Sequence, residues 1–196
     1  LQINPPSELW MSTSKGLSVI RFSDQKIMNY EQGTFNRGAA LKSRRGDLFF
    51  GGIHGMVLFS PQDISDNPYT PNIVITSFKK MNKEYDVGGP LSLLEDLTLG
   101  YEDRFFSFEF AALDFSDPVK NRYRYRLQGF NDNWIEVDSQ RRFAAYTNLD
   151  AGSYQFQVLG SNNDGVWNDK GVSIDITITP PWWKSKLFYS AITLFI

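Results

Sequence analysis

Strict two-residue alternation in the C-terminal two-thirds of the sequence is the feature that most narrows the folds open to this chain. Tyr123, Tyr125 and Leu127 fall on one side of an extended segment, with Arg122, Arg124, Arg126 and Gln128 on the other. Tyr154, Phe156 and Val158 repeat the pattern against Gln155 and Gln157. A period of two belongs to strands with one packed face and one face toward water or a partner, so antiparallel β-sheet is predicted. Phe106, Phe108, Phe110 and Ala112 alternate with Ser107, Glu109 and Ala111, and Val172, Ile174, Ile176 and Ile178 alternate with Ser173, Asp175, Thr177 and Thr179. Together with Ile73, Ile75 and Phe78, and an edge hairpin over 83–87, these runs predict about seven or eight strands in a sandwich. The high aromatic content, 15% of residues, suits such pleated, half-buried surfaces.

Turn chemistry refines this reading. Leu149-Asp150-Ala151-Gly152-Ser153 ahead of Tyr154 resembles the tyrosine corner of immunoglobulin-like and fibronectin type III sandwiches, with Gly152 relaxing the turn and the phenol bonding nearby backbone. Phe130-Asn131-Asp132-Asn133 is read as a turn into a strand over 134–137, with Trp134 capping the core. Asn162-Asn163-Asp164-Gly165 lacks the spaced acidic ligands and bidentate Glu of a calcium loop, and is read as a plain turn.

The N-terminal third follows another rule. Residues 7–20 align without a gap to residues 46–59, an offset of 39, matching Leu9 with Leu48, Trp10 with Phe49 and Gly16 with Gly55. A repeat of about 40 residues built from two apolar strands around a glycine turn points to propeller blades. Two units do not close a ring, so residues 1–64 are read as the last blades of a truncated propeller. Pro61, Pro68 and Pro71 interrupt any ladder, making 65–72 a linker and 73–180 the sandwich. The sandwich is expected to fold alone.

Composition removes several functions. With no cysteine and only His54, disulfides, thiolate chemistry and multi-histidine metal sites are excluded, and any histidine-dependent triad would need His54, which takes the hairpin position held by Lys15 in the sister repeat. No catalytic, cofactor or metal site is predicted, and no ligand-contacting residue is singled out. A net charge of −2 with scattered basic residues argues against nucleic-acid binding. The Arg122, Arg124, Arg126 stripe is either a solvated face or a surface for an anionic ligand or a partner. A glycosidase would need paired carboxylates, but Glu95-Asp96, Glu102-Asp103 and Asp63-Asp66 are read as lying in loops or linkers without apolar pockets.

Residues 181–196 change character. Pro180-Pro181-Trp182-Trp183-Lys184-Ser185-Lys186 precedes the uncharged run LFYSAITLFI. Ten residues span about 15 Å as a helix, half of a bilayer's hydrocarbon core, so this is read as a juxtamembrane segment and the start of a transmembrane helix.

Several short motifs then add up to a resemblance. Leu9-Trp10 and Gly16-Leu17 with their counterparts in 46–59, Tyr125-Arg126-Leu127-x-Gly129-Phe130-x-x-x-Trp134, Tyr146-Thr147-Asn148-Leu149, Gly152-x-Tyr154, Asn162-x-Asp164-Gly165 and Pro180-Pro181-Trp182-Trp183 occur in this order. The chain resembles the periplasmic sensor region of hybrid two-component regulators, in which propeller repeats precede a triple-tyrosine (YYY) sandwich and a membrane helix. The resemblance implies a periplasmic ectodomain of an inner-membrane protein that senses an oligosaccharide or other small ligand through the complete propeller. It also implies a homodimer formed through the sandwich, and a histidine kinase outside this segment. The competing expectation is a structural or adhesive module of a cell-surface protein.

Overall fold

The computed structural model describes residues 2–4, 8–13, 16–23, 25–31, 33–184 and 188. The chain divides into two compact units, Leu1–Asp66 and Asn67–Ile196.

In the first unit, β1 (Gln2–Asn4), β2 (Glu8–Thr13), β3 (Gly16–Arg21) and β4 (Lys26–Glu31) form one meandering sheet, and β5 (Phe35–Lys42), β6 (Leu48–Gly52) and β7 (Gly55–Phe59) a second. The 39-residue offset reappears in the backbone. The β2–β3 hairpin closes on Thr13↔Gly16 and the β6–β7 hairpin on Gly52↔Gly55. Gly16 and Gly55 both sit at φ 135°, where a side chain would be strained, so the repeat preserves a backbone shape as well as a hydrophobic pattern. His54 is an exposed residue of the second turn; its counterpart Lys15 lies outside the described residues.

Matched positions do not share burial. Leu17 and Val19 are buried in the first sheet, whereas their counterparts Met56 and Leu58 are more than half exposed; Leu48 and Phe50 are buried instead. The two sheets therefore meet through opposite faces of the same repeat, with Trp10 against Phe59 at 4.7 Å between ring centroids. This is how successive blades stack, each giving different faces to its two neighbours.

The second unit is a two-sheet sandwich. Its strands are β8 (Ile73–Lys80), β9 (Lys83–Glu84), β10 (Asp96–Leu99), β11 (Phe105–Ala112), β12 (Arg122–Gln128), β13 (Asn131–Asp138), β14 (Phe143–Thr147), β15 (Gly152–Ser161) and β16 (Trp167–Ile178). One sheet has the order β10-β16-β15-β12-β13 and the other β14-β11-β8-β9, with β10–β16 the parallel pair. The nine strands of the described residues exceed the seven or eight expected, because Leu97 and Leu99 lie on a separate edge strand, β10, and Phe143–Thr147 adds β14, while the expected hairpin over 83–87 is reduced to the two-residue edge strand β9.

The alternation holds where it was read. Phe106, Phe108, Phe110 and Ala112 are buried, and so are Tyr123, Leu127, Phe156, Val158, Ile174, Ile176 and Ile178. Phe108 stacks on Phe156 across the sandwich at 4.6 Å. The Tyr154 hydroxyl donates to the Asp150 carbonyl at 2.9 Å, completing the tyrosine corner. Three details differ. The left-handed residue of that corner is Asn148, at φ 52°, and not Gly152. β13 starts at Asn131, because Gly129 at φ 90° turns the chain within the tight Leu127–Phe130 bend. Trp134 does not cap the core: it is 39% exposed on the outer face, since Val137 packs inward from this edge strand and Phe108 with Phe156 already fills the centre.

Two buried tyrosines make opposite demands. The Tyr123 hydroxyl accepts a bond from the Ala112 N–H at 3.1 Å, whereas the Tyr146 hydroxyl is buried without a partner and burial pushes its pKa well up. Tyr123→Phe is expected to cost about 1–2 kcal/mol, and Tyr146→Phe to be neutral or to stabilise by up to about 1 kcal/mol. Urea unfolding of the two variants checks this, and the reverse order would contradict it.

Candidate functional site

The segment leading into the sandwich, residues 67–72, contains Pro68 and Pro71, which have no N–H to give to a ladder. Its carbonyls still need donors. They find them in side-chain amides: Asn162 Nδ2 donates to the carbonyls of Asn67 (2.7 Å) and Tyr69 (2.8 Å), and Asn168 Nδ2 to that of Pro71 (2.8 Å). Asn162 is fully buried, and its Oδ1 accepts the N–H groups of Asp164 (3.0 Å) and Val166 (2.8 Å). One side chain thus uses two donor and two acceptor positions, holding its own turn and the lead-in segment together.

Asn67 completes the clamp. Its N–H donates to Asp164 Oδ2 at 2.6 Å, and its Nδ2 reaches Asn163 Oδ1 at 2.9 Å and both Asp114 Oδ1 and Ser116 Oγ at 3.3 Å. Asp114, only 4% exposed, also accepts from the Asn163 N–H and the Ser116 hydroxyl. The turn over 162–165 is thus a turn, as read, but a buried one that serves as an anchor. Sequence reasoning missed Asn67, Asp114 and Asn168, and gave Asn162 no role beyond its own turn. The available signal was the pair of prolines that strands carbonyls opposite an asparagine-rich turn.

β16 begins at this clamp and runs to the other end of the sandwich. Its last residue, Ile178, pairs with Gly152 and Leu99, and the Thr179 N–H donates to the Leu99 carbonyl at 2.9 Å. Beyond it Trp183 packs edge-on against Tyr101 at 5.1 Å, and both Trp182 and Trp183 are exposed. At about 3.3 Å per residue the strand reaches roughly 30 Å from clamp to exit. Among the described residues no helix is long and apolar enough to cross a membrane. The expected membrane helix over 187–196 lies outside them apart from Phe188.

The other candidates are engaged locally. Arg122 and Arg124 share Glu136 at 3.3 and 3.0 Å, Arg124 lies 4.2 Å over Trp167, and Arg126 lies 4.5 Å over Trp134. Asp66 pairs with Arg21 at 2.6 Å, a bond that is the main cause of the raised Arg21 pKa. Asp103 pairs with Lys80 at 2.9 Å. Asp96 is not in a loop as read but opens β10, in register with Asp175.

With this geometry in place, residues 114–179 match the Y_Y_Y domain. That stretch is the part of the sandwich from the loop after β11 to the end of β16, and the fold of the chain, propeller-type sheets followed by a sandwich, is like that of the extracellular domains of hybrid two-component systems. The chain is similar to "Histidine kinase P4" of Formosa agariphila, with 33% identity over 190 residues. That match covers 90% of this chain and 14% of the length of the kinase. Among solved structures it is similar to the extracellular domain of the hybrid two component system BT3049 from B. thetaiotaomicron, with a TM-score of 0.76 and 24% identity, over 90% of this chain and 25% of that one. It is also similar to the extracellular domain of BT4673 from the same organism, with a TM-score of 0.55 and 23% identity, over 93% of this chain and 25% of that one.

Proposed function

We propose that this chain is the membrane-proximal part of the periplasmic ectodomain of an inner-membrane hybrid two-component sensor, and that its sandwich couples ligand binding to a histidine kinase elsewhere in the full protein. The observation that carries this reading is the continuity from the amide clamp on residues 67–72, through β16, to the exit at Ile178. A displacement delivered at the lead-in segment is not absorbed by a loose linker, because its carbonyls are bonded to the hairpin from which β16 springs. The similarity to a histidine kinase over 90% of the chain supports the same reading. The ligand class is an oligosaccharide, taken up by the complete propeller, and the sensor works as a homodimer whose paired sandwiches change separation or angle, biasing a two-state equilibrium in the membrane helices.

The test is the distance between spin labels placed at the two Pro180 positions of the complete dimeric sensor. Saturation with its ligand is expected to shift the distance distribution. An unchanged distribution in a sensor that still switches its kinase would exclude coupling through the sandwich.

A further inference from the structure

The end of the sandwich at which β16 finishes gathers exposed apolar side chains from four separate segments. Register and bonding bring these segments together: Ile178 stands beside Leu99 and Gly152, the loop after Leu99 holds Lys80 through Asp103 at 2.9 Å, and Phe130 meets Tyr146 edge-on at 6.3 Å. Met81, Phe130 and Trp182 are more than half exposed here, and Tyr101 and Trp183 are exposed beside them. Single exposed apolar residues are ordinary, but five converging on one end mark a contact surface. Met81 adds a further sign. It and Asn82, at φ 49° and 62°, form the two-residue loop of the β8–β9 hairpin, where glycine, asparagine or aspartate is usual. A large apolar side chain is thus held in a strained conformation, in solvent, and among the described residues it joins neither hydrophobic core.

We propose that this end of the folded sandwich rests on the bilayer interface, with the lipid headgroup region as its partner. The proposal deepens the membrane-proximal reading above and rests on it. Continuity selects lipid over a second protein: the rings of Tyr101, Trp183, Trp182 and Phe188 follow one another edge-on, at 5.1, 5.6 and 5.1 Å, from a sandwich loop into the uncharged run LFYSAITLFI. Tryptophan and tyrosine, apolar bodies with a polar tip, are the residues that collect at headgroup level. Charge does not drive the contact. Lys80 is matched by Asp103, Lys83 and Arg104 are set against Glu102, Asp132 and Asp150, and Lys184 and Lys186 follow in the sequence, so zwitterionic and anionic headgroups are expected to serve alike. Seated on several loops, the sandwich does not tilt freely about its exit strand, and a displacement along β16 is passed on rather than lost in rocking of the domain.

The test is methyl nuclear magnetic resonance of the methionine-labelled chain in nanodiscs of phosphatidylcholine doped with a headgroup-labelled paramagnetic lipid. Phe115→Met supplies a reference methyl at the opposite end of the sandwich, where Phe115 is 80% exposed. The Met81 signal is expected to be lost to paramagnetic broadening while the methyl at position 115 is kept. Phe130→Ser combined with Tyr101→Ser is expected to bring the Met81 signal back in a chain that stays on the disc through residues 187–196. If the chain associates with the disc and the Met81 signal is kept, the proposed contact is wrong while the anchored-sensor reading stands; if the chain does not associate at all, both fall. Loss of the Met81 signal only in discs containing phosphatidylglycerol overturns the proposal as well, because the contact would then be electrostatic. So does a change in the sedimentation of the lipid-free chain on Phe130→Ser and Tyr101→Ser, because the surface would then join copies of the chain.

Discussion

Asn162→Ala is expected to lower the unfolding free energy of the sandwich by about 3–5 kcal/mol, the largest effect foreseen for any polar residue of this chain. The side chain is fully buried and makes four hydrogen bonds, two to the carbonyls of Asn67 and Tyr69 and two from the N–H groups of Asp164 and Val166. Truncation strands four backbone groups at once, and each buried orphan costs about 1–3 kcal/mol unless water reaches it. Asn168→Ala is the internal comparison. It strands the Pro71 carbonyl and releases the Lys170 and Gly171 N–H groups at a more exposed position, so about 1–2 kcal/mol is expected. Denaturant unfolding with hydrogen exchange at Val166 separates the two. If Asn162→Ala unfolds within about 1 kcal/mol of the native chain, the clamp is not what holds residues 67–72.

Gly171→Ala is expected to cost about 2–4 kcal/mol. The ladder between β15 and β16 slips between Val158 and Gly160, and residues 169–171 bulge out of the strand, leaving Gly171 at φ 54°. A Cβ there would meet the Val158 carbonyl oxygen at 2.2 Å and Leu159 Cδ2 at 2.6 Å. The oxygen belongs to a paired backbone and does not swing aside, so the bulge must open. Gly165→Ala supplies the control. Gly165 has φ 82° but nothing within 4 Å of an added Cβ, so only the left-handed strain, about 1–2 kcal/mol, is expected. Equal losses in the two variants would mean that the collision is relieved cheaply and that the bulge is softer than its contacts suggest. Because the bulge lies on β16 between clamp and exit, the complete sensor carrying Gly171→Ala is also expected to bind ligand normally while switching its kinase less, in line with the proposed coupling.

The sandwich, its strand faces and its corner were legible because they follow from local rules. A period of two in Phe106–Ala112 or Val172–Ile178 decides which side chains share a face whatever that face meets, and a leading Tyr154 after a turn bonds back over four residues. The blade repeat was legible for the same reason, since a glycine at the φ 135° turn position is needed wherever the hairpin recurs.

What the tertiary structure decided are choices between partners far apart in the chain. Trp134 carries the same apolar signature as a core residue, but it stands on the face of β13 opposite to inward-packing Val137, outward beneath Arg126. Leu48 and Phe50 are buried where the matched positions in the first blade are not, because stacking sets opposite faces of one repeat against each other. Asn162 reads as an ordinary turn residue until two prolines, over ninety positions earlier, bring unbonded carbonyls beside it. Periodicity is written into neighbouring residues, whereas satisfying a buried donor or acceptor depends on which distant backbone folding delivers to it.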